Sequence, residues 1–149
     1  MVENFTEKFN IIDKIEQADG SIRYVLPKNE VKNCLSHFKN SAEFSTDMLL
    51  SIRATDWVDK IELTYELYST KLNERQIVST YLESGNPVAD SVVSVFKSAA
   101  FDEREIFDLF GVDFDGHEGI KRLLMPESVV GNPLLKNSCF KDERLTWNE

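Results

Sequence analysis

"KIELTYELYST", Lys60–Thr70, decides the fold. Ile61, Leu63, Tyr65 and Leu67 alternate with Glu62, Thr64, Glu66 and Tyr68. A period of two puts the first set on one face of an extended strand and the second set on the other. Its neighbours read the same way. "MLLSIRATDW" (48–57) precedes it across a short Val58–Asp59 turn, and "RQIVSTYLE" (75–83) follows an Asn73–Glu74 turn. Three consecutive strands with tight links predict an antiparallel meander.

Toward the N-terminus, "SIRYVLP" (21–27) alternates Ile22, Tyr24 and Leu26 and ends at Pro27, a further strand. "KNEVKNCLSHFKN" (28–40) carries Val31, Cys34, Leu35 and Phe38 at the spacing of an amphipathic helix. "ENFTEKFNIIDKIEQA" (3–18) has Phe5, Phe9, Ile12 and Ile15 at helical spacing, up to the Asp19–Gly20 turn signal. Toward the C-terminus, "SGNP" (84–87) breaks the chain. "VADSVVSVFKSAA" (88–100) returns to helical spacing at Val88, Val92, Val95, Phe96 and Ala99. After Gly119 no long periodic run is left. The order predicts an α+β fold: an antiparallel sheet of about four strands with helices packed on one face. It divides the chain into a domain at 1–119 and an extended C-terminal tail at 120–149 that docks on a partner.

A chain of 149 residues is the size of one domain. Apolar content of 42% with 29% charge belongs to a globular protein. No apolar run approaches the roughly 18 residues that span a bilayer. "MVENFTEKFN" has neither the basic nor the greasy region of a secretory signal, so the chain is expected in the cytoplasm. The net charge of −9 repels phosphate backbones and anionic lipid, which argues against nucleic acid and direct membrane binding. It leaves a basic or mixed protein partner. Cys34 and Cys139 read as two free thiols.

"FDEREIFDLFGVDFDGH", Phe101–His117, carries the densest chemistry. On a helical wheel Ile106, Leu109 and Phe110 form a stripe, with Phe107 on its flank and Arg104, Glu105 and Asp108 opposite. Arg104 and Asp108 are four apart and can pair. Asp102 and Glu103 fall near the apolar side in the first turn, where unpaired amides favour negative charge. They either cap this helix, or Glu103 enters a contact and meets an arginine. Gly111 marks a left-handed stop, and Asp115–Gly116 a turn. A calcium loop fails, because Gly111 would occupy the first ligand position. Cys34, His37, His117 and Cys139 are the only soft metal ligands, and they are scattered. Asp113, Asp115 and Glu118 beside His117 could serve acid–base chemistry, but there is no nucleophile motif, P-loop or GxGxxG. Aromatics and arginine interleaved with acids suit a protein interface.

The stretch closely resembles the signature of the 30 kDa subunit of respiratory complex I, NADH–quinone oxidoreductase. Matching residues are Glu103, Arg104, Glu105, Ile106, Phe107, Asp108, Leu109, Phe110, Gly111, Phe114, Gly116, His117, Lys121, Arg122, Leu123 and Leu124. Members usually continue with His-Pro-Leu-Arg-Lys-Asp-Phe; here Pro133, Leu134 and Lys136 keep the pattern, while Asn132, Leu135 and Asn137 depart from it. That departure favours a hydrogenase-like or shortened relative. The family includes the equivalent subunits of energy-converting membrane-bound [NiFe]-hydrogenases and of F420H2 dehydrogenase. The resemblance implies a non-catalytic peripheral-arm subunit on the cytoplasmic side, reaching the membrane only through its complex. It implies a hydrogenase-like large subunit and an iron–sulfur small subunit as partners. Iron–sulfur clusters and any [NiFe] centre would lie in those partners, with no cofactor here; two cysteines cannot supply four cluster thiolates. The implied partner surface is Glu103, Arg104, Glu105, Phe107, Asp108, Phe110, Gly111, Phe114, Gly116, His117, Lys121, Arg122, Leu123, Pro133, Leu134 and Lys136. The alternative is a free-standing enzyme using Asp113 and His117.

Overall fold

The computed structural model describes residues 2–138, with side chains from Phe5 onward. The elements run α1 (Val2–Lys8), β1 (Asp13–Glu16), β2 (Ile22–Val25), α2 (Lys28–Asn40), β3 (Met48–Asp56), β4 (Lys60–Ser69), β5 (Glu74–Glu83), β6 (Val88–Asp90), α3 (Ala99–Phe110) and β7 (Asp113–Asp115). The fold is α+β. Five strands pair in the order β1-β2-β5-β4-β3, and β6 pairs with β7 in a small second sheet.

The meander is present as read: β4 pairs antiparallel with both β3 and β5. Its alternation does what the period demands. Ile61, Leu63, Tyr65 and Leu67 enter the core with Val31, Cys34, Leu35 and Phe38 of α2 and Ala99 and Ile106 of α3. Burying each such Leu, Ile or Val contributes about 1.5–3 kcal/mol. Helices therefore cover one face. The opposite face is polar: Arg23 pairs with Glu62 at 2.8 Å, and Glu66 holds both Arg53 and Arg75. Phe5 of α1 packs against Phe38 and Phe44, and against Phe9 just past the helix end.

Three expectations change. The first helix stops at Lys8, and Asp13–Glu16 forms a strand against β2, so the main sheet has five strands instead of about four. The Asp19–Gly20 turn joins the two arms of that hairpin; Gly20 takes a φ of 82° there. Tertiary pairing outweighs a helical spacing carried by only four apolar residues. The sheet is also mixed, because β2 joins β5 in parallel. Last, Val88–Asp90 is a strand, paired in parallel with Asp113–Asp115, and α3 begins only at Ala99. Pairing with Asp113–Asp115 makes the strand, and Val92, Val93 and Val95 fall in the turns between β6 and α3.

Among the described residues, three that are not glycine take a positive φ: Ser45, Val58 and Asn73. Val58, in the loop between β3 and β4, has a φ of 78°. A β-branched residue in that region is an outlier, costing on the order of 1–3 kcal/mol.

Candidate functional site

Helix α3 is a rivet. Its acidic residues fasten the chain that precedes it, the sheet beside it and the segment that follows it. Its N-cap residue, Ser98, makes no side-chain capping bond. Asp102 does not cap the helix either. Its Oδ2 accepts the Ile52 amide of edge strand β3 at 2.9 Å, which blunts an exposed sheet edge.

Glu103 is fully buried. Its Oε1 accepts the Val92 amide and its Oε2 the Ser91 hydroxyl, both at 2.7 Å. It meets no arginine. Burial raises its pKa above the ordinary carboxylate value, against the opposing pull of those two hydrogen bonds and of His117 and Lys32. The carboxyl locks the β6–α3 connection onto the helix. Neither the capping reading nor the arginine reading holds.

Asp108 has a side chain with no exposed surface and makes the opposite kind of site. Its Oδ2 accepts three successive amides, Leu123 at 3.1 Å and Leu124 and Met125 at 2.8 Å. Its Oδ1 accepts Arg122 Nη1 at 3.2 Å. Burial alone would raise this pKa; the amides of Met125, Leu124 and Leu123, with the Arg122 guanidinium, outweigh it and hold the group below the usual range. Arg104 does not pair with Asp108. It donates to the carbonyls of Lys121 and Arg122.

The chain from Lys121 to Ser138 is thus a strap across the second half of α3. Arg122 also donates to the Gly131 carbonyl at 3.0 Å. Asn132 Nδ2 donates to the carbonyls of Phe107 and Asp108, supplying partners that a helix end lacks. Leu134 N–H reaches the Leu109 carbonyl at 3.0 Å. Lys136 N–H reaches Asp56 Oδ2 at 2.7 Å, tying the strap to the end of β3. Gly111 ends the helix in the left-handed region, φ 70°. A Cβ there would lie 2.6 Å from Asn132 Oδ1, so the strap's approach also requires glycine.

The sequence-derived surface is therefore split. Glu103, Asp108 and Phe114 lie inside this chain. Arg104, Phe107, Phe110, Gly111, His117, Arg122, Leu123 and Pro133 are half-buried, and Glu105, Gly116, Lys121, Leu134 and Lys136 are exposed. His117 Nε2 is 3.2 Å from the Ala100 carbonyl, holding the turn after β7 against the start of α3. Asp113 is exposed on β7, with its amide on the Pro87 carbonyl. Among the described residues no group of three His, Cys, Asp or Glu could hold a metal ion. Cys139 lies outside the described residues; Cys34 is buried in α2, and burial drives its thiol pKa upward. Residues that the sequence reading missed are Ser91, Val92, Asp56, Asp102 as an edge cap, and Asn132 as a helix cap. Their partners are 11 to 80 residues away along the chain, beyond any local periodicity.

The class the geometry defines is a small α+β domain: a one-sided mixed sheet with a helix that rivets a connection before it and a strap after it. The chain matches the family described as respiratory-chain NADH dehydrogenase, 30 Kd subunit, over residues 24–144, and it belongs to that family. It is 31% identical to the C subunit of NADH-quinone oxidoreductase from Trichlorobacter lovleyi over 141 residues, 91% of this chain and 86% of that one. The counterpart from Rickettsia bellii is 29% identical over 140 residues, 92% of this chain and 71% of its own length. Among solved structures, a trypsin-resistant fragment of Nqo5 (1-134) superposes with a TM-score of 0.68 at 26% identity, covering 78% of this chain and 92% of the fragment. A chain of the membrane-bound sulfane sulfur reductase, an archaeal respiratory membrane complex, shares the fold, with a TM-score of 0.72 at 24% identity over 85% of this chain and 75% of that one. No helix among the described residues is long and apolar enough to cross a membrane.

Proposed function

We propose that this subunit is a non-catalytic assembly element of a peripheral arm. It docks on the hydrogenase-like large subunit, beside the iron–sulfur small subunit, on the cytoplasmic side of the membrane. There it supports electron transfer coupled to ion translocation while the partners hold the clusters.

One observation carries this reading. The strap's backbone is pinned by Asp108, Arg104 and Asn132, yet it turns large apolar side chains outward: Leu124 is 59% exposed, Val130 84% and Leu134 50%. A loose tail would hide such groups or lose entropy when it docked. A pinned one presents them ready-made, which lowers the cost of binding. The signature acids support the same role, because Glu103 and Asp108 are spent on backbone amides and a hydroxyl, not aimed into an open cleft.

The test is recovery of the tagged chain from native membranes, with co-purifying subunits identified. Wild type is expected to bring down the large subunit. A Leu124→Asp/Leu134→Asp variant is expected to recover it at least ~10-fold less, with the isolated chain's Tm within ~2 °C of wild type, since exposed positions are worth little to the monomer. Equal recovery would refute the docking surface.

A further inference from the structure

One hydrogen bond between α1 and α2 fixes a protonation state. Lys8, the last residue of α1, holds its ammonium 3.0 Å from His37 Nδ1 of α2. An ammonium has donors and no lone pair, so Nδ1 is the acceptor, the ring is neutral and its proton sits on Nε2. Aromatic rings enclose the imidazole. Phe5 of α1 stacks on it at 6.3 Å between centroids, Phe9 lies at 5.6 Å and Phe44, beyond α2, at 6.0 Å. Phe5 is 2% exposed and also packs on Tyr24 and Phe38, so α1 closes the aromatic part of the core.

A proton on Nδ1 reverses that contact. It removes the acceptor, points an N–H at the ammonium and sets a second positive charge beside the first. Among the described side chains, the charges that act on the ring are Lys8 from α1 and Glu43 from the turn after α2. Burial among the rings comes first in holding the imidazole's pKa below its ordinary value and Lys8 second, while Glu43 pulls the other way. Above the ordinary histidine value of ~6.5 the docked and the freed ring are both neutral, and docking is at full strength. As the pH falls from ~6.5 toward the lower docked value, the freed ring takes its proton first and docking weakens. His117, the other histidine of the sequence, is fastened to α3 at the Ala100 carbonyl. Asn10, just past α1, is held separately on Glu30 of α2 through its amide at 2.9 Å and through its side chain, so the chain stays tethered where the helix lets go.

We propose that α1 is a proton-operated latch: a proton on His37 sets two cations against each other at the α1–α2 contact and loosens the helix from the aromatic cluster it closes. The proposal stands independently of the assembly reading above.

The experiment follows the full chain by NMR from about pH 7.5 to about pH 5, the range in which histidine titrates. Hydrogen exchange, expressed as protection relative to the intrinsic rate at each pH, reads α1, with the Phe9 amide on the Phe5 carbonyl as reporter. Wild type is expected to lose ~5-fold protection there on acidification, the worth of one net hydrogen bond, while β4 amides keep theirs. High salt should shrink the loss, because the Lys8–His37 contact is exposed to solvent. His37→Gln keeps an acceptor and cannot take a proton, so its protection is expected to stay flat with pH, whatever its level. Lys8→Met keeps an apolar stem; it is expected to raise the pH at which the His37 ring titrates and to cut the acid loss to within ~2-fold. A wild-type α1 whose protection changes less than ~2-fold across the range refutes the latch. So does an equal acid loss in His37→Gln, which assigns the effect to another group, and so does a loss shared by β4, which is acid unfolding of the whole domain. An unmoved His37 titration in Lys8→Met refutes the opposed cations. A His37→Gln chain less protected than a pH-insensitive wild type shows the ring serving only as packing, and overturns the proposal as well.

Discussion

Replacing Asp108 by Asn keeps the size of the side chain and removes its charge. The carboxylate accepts three amides and one guanidinium with no exposed side-chain surface. An amide side chain has one acceptor oxygen. If that oxygen faces Leu123, Leu124 and Met125, the new NH2 group confronts Arg122, donor against donor. Each of the three amide bonds then falls from charge-assisted to neutral strength, a loss of about 1 kcal/mol apiece, and the half-buried Arg122 contact forfeits about 1 more. The sum is about 4 kcal/mol, a large fraction of a domain's usual stability of about 5–15 kcal/mol. Where strap and body melt together, Tm should drop by ~10 °C. Where the strap opens alone, hydrogen exchange at the amides of Leu123, Leu124 and Met125 should quicken by roughly three decades while β4 amides stay protected. Protection of those three amides within about tenfold of wild type, together with a Tm within ~2 °C, would refute the rivet.

Further expectations concern the same helix. Asp108 holds its pKa below the unfolded value of ~3.9, so its contribution is complete above that pH and is lost as the pH falls through the folded pKa, which acid titration of the Tm should show. Glu103 has the opposite sign: its raised pKa means that stability declines as pH rises from its unfolded value near ~4.3 through the folded one. Glu103→Gln should therefore match or exceed the wild-type Tm at neutral pH and flatten that slope, whereas Glu103→Ala orphans the Val92 amide and should lose about 2–4 kcal/mol in denaturant melts. A Glu103→Gln chain markedly less stable at neutral pH would show the ionised form to be required. Gly111→Ala meets both a φ of 70° and the Asn132 side chain, so it should cost more than Gly116→Ala, whose φ is 83° with no atom within 4 Å of the added Cβ. Expected losses are about 2–3 and about 1 kcal/mol respectively, read from urea midpoints; equal losses would show that the strap does not press on the helix end.

The parts of the fold that were legible were those whose signal is local. Alternation in Lys60–Thr70 named β4, its faces and, with the tight links on either side, the meander. Val31, Cys34, Leu35 and Phe38 named α2 and its buried side. Gly111 marked the end of α3. The signature from Glu103 to Leu124 marked the family. The failures also have one cause. Ile12 and Ile15 fit a helix as well as a strand, and only pairing with β2 chose between them. Val88 was spaced for a helix, and only the arrival of Asp113–Asp115 made it a strand.

The candidate site follows the same division. The order of residues determined that an acidic, aromatic helix would form, stop at a glycine and be followed by a strap too poor in periodicity to fold alone. It could not tell Glu103 from Asp108, since both are carboxylates on one helix. Tertiary structure buried Glu103 with only one hydroxyl and one amide to offset the loss of water, so burial wins and it holds its proton more tightly. It gave the other three amides and a guanidinium, so that it stays charged. Side-chain periodicity is a property of neighbours along the chain, whereas a carboxylate's ionisation depends on whichever dipoles the fold brings within hydrogen-bonding distance. For that reason helix α3 was readable in advance, and what its acids fasten was not.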